Sequence, residues 1–154
     1  VIVEMGANGA GKLETIFQIL EASPSHKVPI KYYFVCGRNQ VLRKRLEQVV
    51  ANNEAHGSAL ERCEILGWVD ARDKNELMNI CSLMIGKPGG ATQAELTCLK
   101  LPLFIMDIHE HCEEGNKEKL LKSNLAYEYD LARPLAAQIE EILEDAALTQ
   151  VTQE

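Results

Sequence analysis

Short apolar runs alternate along the chain with longer segments in which apolar residues recur every three or four positions. The first pattern predicts strands and the second predicts amphipathic helices. The expected strands are residues 1–5, 31–36, 64–69, 83–85, 103–107 and, with a weaker pattern, 126–129. The expected helices are residues 13–20, 41–55, 73–81, 92–99, 113–122 and 135–146. This alternation predicts an α/β protein with a Rossmann-like open parallel sheet of about six strands and helices on both faces.

One domain accounts for nearly all of this pattern. Residues 1–146 contain every predicted element, and residues 147–154 are expected to form a polar tail. The chain starts with Val1 rather than methionine, already inside an apolar run, which suggests a domain taken from a longer protein. A chain of 154 residues, 46% of them hydrophobic, is sufficient for one buried core.

Charge and cysteine content narrow the class of protein. A formal net charge of -7 and a pI near 5.2 argue against nucleic-acid binding as the main role. No apolar run approaches the roughly 18 residues that suggest a membrane span, and no signal peptide is visible. Five scattered cysteines without a Cys-x-x-Cys pair are typical of a reducing compartment, so a cytoplasmic location is expected.

Glycine-rich or polar loops follow the predicted strands, at residues 6–11, 37–39, 69–71, 87–92 and 108–116. Because the carboxyl ends of parallel strands lie at one edge of a sheet, these loops are expected to share that edge. The loop Gly86-Lys87-Pro88-Gly89-Gly90 leads directly into a predicted helix. Backbone N–H groups at such a helix N-terminus bind anions, most often phosphate.

Glu95 lies three residues past Thr92, on what we predict to be the first turn of that helix. An ionised carboxylate at this place can accept hydrogen bonds from both hydroxyls of a ribose. Phosphate donors beside a diol acceptor suggest a nucleotide. The alternative is a capping box formed by Thr92 and Glu95, which requires no ligand.

Three motifs together resemble those of one enzyme family. They are Gly86-Lys87-Pro88-Gly89-Gly90-Ala91-Thr92-Gln93-Ala94-Glu95, Leu101-Pro102-Leu103 and Glu113-Glu114-Gly115-Asn116. Over residues 1–143 the chain resembles the donor-binding half of the glycosyltransferases grouped with the peptidoglycan lipid II synthase and the mono- and diglycosyldiacylglycerol synthases. The resemblance implies the C-terminal half of the two-domain GT-B architecture. It also implies transfer of a hexosyl group from a UDP-sugar to an acceptor hydroxyl, often that of a lipid.

The resemblance also implies roles for individual residues. Backbone N–H groups of Asn8, Gly9 and Ala10 would contact the donor's phosphates, and Val69 would offer its backbone to the uracil ring. The hydroxyls of the transferred sugar would be held by Glu113 and Asn116, or by Glu114 in a register shifted by one residue. The remaining members of the predicted donor site are Arg38, Lys87, Gly89, Gly90, Ala91, Thr92 and Glu95.

Some of these residues have other interpretations. Arg38 presents a permanently charged fork suited to a diphosphate, but a solvated surface arginine explains it equally well. Trp68, the lone tryptophan, is expected in the core or an interface rather than against a base. Cys112 stands where the resembled enzymes usually have glutamine, so the transferred sugar stays unidentified.

The first glycine loop suggests a second class of enzyme. Gly6-x-x-x-x-Gly11-Lys12 has the phosphate-loop spacing of nucleoside triphosphatases and lies between a predicted strand and a predicted helix. However, Leu13 follows where those enzymes need serine or threonine to hold Mg²⁺. The triphosphatase therefore stays an alternative to the glycosyltransferase.

Metal and catalytic residues are not assigned. The run His109-Glu110-His111-Cys112 contains several metal ligands, but neighbouring residues on a loop point in different directions and no second cluster accompanies them. We expect no metal and no cofactor, with the UDP-sugar as substrate.

In the resembled enzymes an N-terminal domain or subunit binds the acceptor and provides the catalytic base, and it would also supply any membrane contact. We therefore expect this hexosyltransferase fragment to be inactive alone, with a non-catalytic donor-binding subunit or a nucleotide-sugar epimerase as further alternatives.

Overall fold

The computed structural model describes residues 1–9, 11–52, 56–106 and 111–151, which form one six-stranded sheet and six α-helices. The strands are β1 (Ile2–Glu4), β2 (Tyr32–Val35), β3 (Cys63–Leu66), β4 (Met84–Gly86), β5 (Leu103–Ile105) and β6 (Ala126–Glu128). The helices are α1 (Leu13–Glu21), α2 (Gln40–Ala51), α3 (Ala71–Ile80), α4 (Gly90–Leu99), α5 (His111–Lys122) and α6 (Leu135–Val151).

All neighbouring strands are parallel, in the order β3-β2-β1-β4-β5-β6. The chain builds outward from β1 to β3 on one side and then from β4 to β6 on the other. The strand order thus reverses between β1 and β4, which is where open α/β sheets bind ligands. The predicted Rossmann-like parallel sheet is confirmed.

The helices cover both faces of the sheet, also as predicted. Successive strand residues point to opposite faces, so each strand supplies both cores. On one face Val3 and Phe34 pack with buried residues of α1, α2 and α6. On the other face Ile2 and Met84 pack with buried residues of α3, α4 and α5. The apolar residues that predicted the first helix, Leu13, Ile16, Phe17 and Leu20, are all buried.

Several element ends differ from the sequence prediction. Strand β3 ends at Leu66, and residues 67–69 form a loop rather than its end. Helix α4 begins at Gly90 instead of residue 92, because Gly89 has the extended backbone of an N-cap. Helix α6 continues past residue 146 to Val151. No helix among the described residues is long and apolar enough to cross a membrane.

Candidate functional site

The site lies at the carboxyl edge of the sheet, where the loops after β1 and β4 are neighbours. Close packing at the strand ends sets this geometry. A Cβ built on Gly86, the last residue of β4, would lie 2.4 Å from the carbonyl oxygen of Glu4, the last residue of β1. Only glycine allows the two strands to approach this closely at the reversal of strand order.

The loops after β1 and β2 are interlocked. The backbone N–H of Arg38 donates to the Ala7 carbonyl at 3.0 Å, and the Asn39 side-chain amide donates to the Gly9 carbonyl at 3.2 Å. Gly9 has a positive φ of 54°, and a Cβ on it would lie 1.9 Å from the Cys36 carbonyl oxygen. These contacts fix the first glycine loop against its neighbour, with Asn8 left exposed. Ala10, predicted to share the phosphate contacts, lies outside the described residues.

The loop after β4 is held by α5. Lys87 Nζ lies 2.7 Å from Glu113 Oε1, and the Asn116 side-chain amide donates to the Pro88 carbonyl at 3.0 Å. Glu113 is buried, whereas Glu114 is exposed and lies 3.7 Å from Lys117 on the same helix. Of the two glutamates that the sequence left open, Glu113 is thus the one directed at the loop.

Helix α4 points its N-terminus at this edge. Gly90 and Ala91 are exposed, and Thr92 is half-buried on the same first turn. The first N–H groups of a helix have no partner within it, and they form a positive end suited to an anion. The predicted phosphate-binding geometry is therefore present, while binding itself stays a prediction.

The capping-box interpretation of Thr92 and Glu95 is wrong. Gly89 is the N-cap and makes no side-chain capping bond, so Glu95 lies on the second turn of α4 rather than the first. Its Oε2 lies 3.2 Å from Nζ of Lys74 on α3. The same ammonium lies 2.9 Å from Oε2 of Glu4.

This charged cluster of Glu4, Lys74 and Glu95 was not predicted. The Oε2 atoms of Glu4 and Glu95 are both buried, and among the described residues neither atom has a hydrogen-bond partner of normal geometry. The nearby Lys74 ammonium offsets the negative charge of both carboxylates. Burial by itself would lower the pKa of Lys74, but Glu4 and Glu95 outweigh it and raise that pKa. A glutamate at the end of the apolar strand β1 was the available sequence signal; nothing local indicated its partner on α3.

The loops after β2 and β3 place an aromatic ring at the same edge. Trp68 is 55% exposed, so of the two expected positions, core or interface, it does not take the core one. Arg38 is itself exposed, as the surface interpretation expected, and its guanidinium carbon lies 4.4 Å from the centre of the Trp68 ring. Val69 is half-buried next to this pair and packs against the core of the α3 face.

The phosphate-loop pattern lacks its metal-binding group. Leu13 is fully buried in the core, and Lys12 Nζ lies 3.4 Å from the Met106 carbonyl oxygen. No three His, Cys, Asp or Glu side chains cluster to hold a metal in the part of the chain that the structure describes. His109 and Glu110 lie outside that part, so the metal alternative at residues 109–112 stays untested.

The fold defines the class: a Rossmann-like α/β protein whose candidate site lies at the reversal of strand order, the place where such sheets bind ligands. The chain is 31% identical, over 106 residues, to processive diacylglycerol beta-glucosyltransferases of Bacillus thuringiensis (strain Al Hakam), Bacillus cereus (strain AH820) and Bacillus anthracis (strain CDC 684 / NRRL 3495). The match covers 68% of this chain but only 24% of each relative. No protein-family model matches the chain. The resemblance to this glycosyltransferase group is therefore confirmed, and the chain spans about a quarter of the length of its curated relatives.

Proposed function

We propose that this chain is the donor-binding, C-terminal domain of a two-domain glycosyltransferase. It binds a UDP-sugar, and the hexosyl group passes to an acceptor hydroxyl bound by an N-terminal domain. The observation that supports this most directly is the convergence of the loops after β1, β2 and β4 with the N-terminus of α4 at one edge. The similarity to diacylglycerol glucosyltransferases favours a lipid acceptor and a protein that associates with a membrane surface through its other domain.

The donor's nucleotide occupies the β1 side of this edge. The uracil ring contacts the Val69 backbone, and Glu95 accepts hydrogen bonds from the ribose hydroxyls. The diphosphate lies between the first glycine loop, at Asn8 and Gly9, and the N-terminus of α4. Both places offer backbone N–H groups and, at α4, a helix dipole.

The transferred sugar lies on the β5 side, beside Glu113 and Asn116. The acceptor oxygen attacks the anomeric carbon, the bond to the diphosphate breaks, and UDP leaves with the bonding electrons. Arg38, Lys87 and the α4 dipole offset the negative charge that grows on the diphosphate. Lys87 already pairs with Glu113, so one contact orients both the sugar-binding carboxylate and the cation.

Thermal unfolding of the chain with UDP, UMP, ATP and GTP, each with and without Mg²⁺, tests this proposal. A ligand at about 100 times its dissociation constant adds roughly 2.7 kcal/mol of stability, which is a shift of about 5–10 °C. We expect UDP to stabilise the chain without metal and Lys12→Ala to leave most of that shift. A shift that requires Mg²⁺ with ATP or GTP and disappears in Lys12→Ala would instead establish the triphosphatase.

A further inference from the structure

Lys74 connects the two elements on either side of the proposed nucleoside pocket. It lies on the first turn of α3, which begins directly after the Val69 loop. Its ammonium contacts Glu95 on α4 and Glu4 at the end of β1. The side chains of Lys74 and Glu4 are only 17% and 12% exposed, so this contact is shielded from solvent. A shielded ion pair holds its partners in one geometry more firmly than a surface pair does.

Lys74 contacts only one of the two oxygens of the Glu95 carboxylate. Oε2 faces Lys74 and is buried, while the side chain as a whole is 41% exposed through its remaining atoms. A carboxylate anchored through one oxygen cannot rotate freely, so the direction of the other oxygen is fixed as well. A carboxylate oxygen held in a fixed direction favours a ligand with a correctly placed hydroxyl over a ligand without that hydroxyl more strongly than a mobile oxygen does.

Resting on the proposed function, we propose that Lys74 is a positioning residue that fixes Glu95 to recognise the ribose hydroxyls, so that the site selects ribonucleoside diphosphates over their deoxy counterparts. Lys74 does not touch the donor in this arrangement. It acts through Glu95, and its second contact with Glu4 anchors it to the central strand of the sheet. Glu4 thus serves as the fixed end of the chain Glu4–Lys74–Glu95.

The test compares the binding of UDP and 2′-deoxy-UDP by calorimetry to the unaltered chain and to Lys74→Met. We expect the unaltered chain to prefer UDP by about tenfold, the size of effect that follows from losing a hydrogen bond to a charged group. Lys74→Met should reduce this preference to about twofold or less while its affinity for 2′-deoxy-UDP changes little. Combining Lys74→Met with Glu95→Gln should lower the preference no further than Glu95→Gln alone.

Two further variants separate positioning from folding. Lys74→Met leaves the Glu4 carboxylate buried without its cation, so Lys74→Met/Glu4→Gln removes that charge and should retain the fold with the same lost preference. Arg72→Met is the matched control, because Arg72 lies on the same turn of α3 but is 86% exposed beside Glu76. It should keep the full preference for UDP.

The outcomes also separate this inference from the proposed function. Equal weakening of both ligands in Lys74→Met, with the preference intact, would show a purely structural lysine and overturn the inference alone. An unaltered chain that binds UDP and 2′-deoxy-UDP equally would remove the ribose role of Glu95. An unaltered chain that binds neither ligand would overturn the proposed function, and this inference with it.

Discussion

At the scale of single residues, the candidate site depends on how closely backbone segments approach one another. At Gly86, the last residue of β4, a built Cβ would lie 2.4 Å from the carbonyl oxygen of Glu4 on β1. Backbone atoms in a paired strand cannot move aside as a flexible side chain can. A substitution at Gly86 therefore tests whether any side chain fits between β1 and β4, where the strand order reverses.

We predict that Gly86→Ala destabilises the fold by about 1–3 kcal/mol, as overpacking of a buried position does. The midpoint of urea unfolding measures this, and the slope should stay unchanged. Gly115→Ala is the control, since apart from its chain neighbours and the nearby backbone of its own helix, no described atom lies within 4 Å of a Cβ built there. That exposed position inside α5 should gain roughly 0.5–1 kcal/mol on removal of a helical glycine. Equal midpoints for the two variants would refute the close-approach argument.

The Glu95 carboxylate gives the second prediction at this scale. Glu95→Ala should weaken UDP binding by about 1–3 kcal/mol, because charge-assisted hydrogen bonds to the ribose are lost. Calorimetric titration with UDP measures the effect. Glu118→Ala on the exposed face of α5 serves as the control and should bind UDP as the unaltered chain does. An unchanged affinity for Glu95→Ala would remove Glu95 from the site.

At the scale of elements, α6 is fastened to the chain ahead of β2 by a buried polar group. His26 Nδ1 lies 2.8 Å from Glu140 Oε1, and His26 Nε2 lies 2.7 Å from the Tyr32 hydroxyl. The backbone N–H of Lys27 donates to the same Glu140 oxygen at 3.1 Å. The His26 side chain is only 3% exposed, so this link belongs to the core of the α6 face.

This link makes stability depend on pH. Burial alone would raise the pKa of Glu140, but the hydrogen bonds from His26 and Lys27 outweigh it and lower that pKa. A carboxyl whose pKa is lower in the folded state stabilises the fold above its unfolded pKa, and this stability is lost as the pH falls through the folded pKa. Glu140→Gln should therefore lower the urea midpoint at neutral pH and reduce its fall below about pH 4.5. If the urea midpoints of the unaltered chain and of Glu140→Gln fell equally with pH, Glu140 would not be the source of this pH dependence.

Most elements were predictable because their signals are local. The Asp70 side chain caps α3 by accepting a hydrogen bond from the Asp73 N–H at 2.9 Å, and an aspartate ahead of a helix is a local N-cap signal. The start of α4 was not, because Gly89 forms the N-cap by backbone geometry without a side-chain bond. The contact between Trp68 and Arg38 was not predictable either, because only the fold brings their two loops together.

At the scale of the whole molecule, the sheet lies between two apolar cores and contributes residues to both. Ile139 of α6 belongs to one core and Leu96 of α4 to the other, and both side chains are fully buried. Each strand contributes residues to both faces, so neither core can form without the sheet. We therefore expect the chain to unfold as a single cooperative unit.

Ile139→Ala and Leu96→Ala should each cost about 2–5 kcal/mol. Because they lie on opposite faces, the double variant should show the sum of the two effects within about 0.5 kcal/mol. Urea unfolding followed by Trp68 fluorescence and by far-UV circular dichroism should give coincident transitions in every variant. Val41→Ala, at a position 76% exposed, is the control and should change stability little. Separate transitions for the two probes would show that the faces unfold independently.

The sequence by itself determined the alternation of strands and helices, the parallel sheet, the glycine loops and the resemblance to glycosyltransferases. These depend on local periodicity, on turn residues and on short motifs, all of which lie within a few neighbouring positions. The strand order and the partners of the charged residues were decided only by the tertiary structure. Lys87 meets Glu113 across 26 positions, and Lys74 meets both Glu4 and Glu95, because strand order brings together side chains whose separation no local pattern encodes.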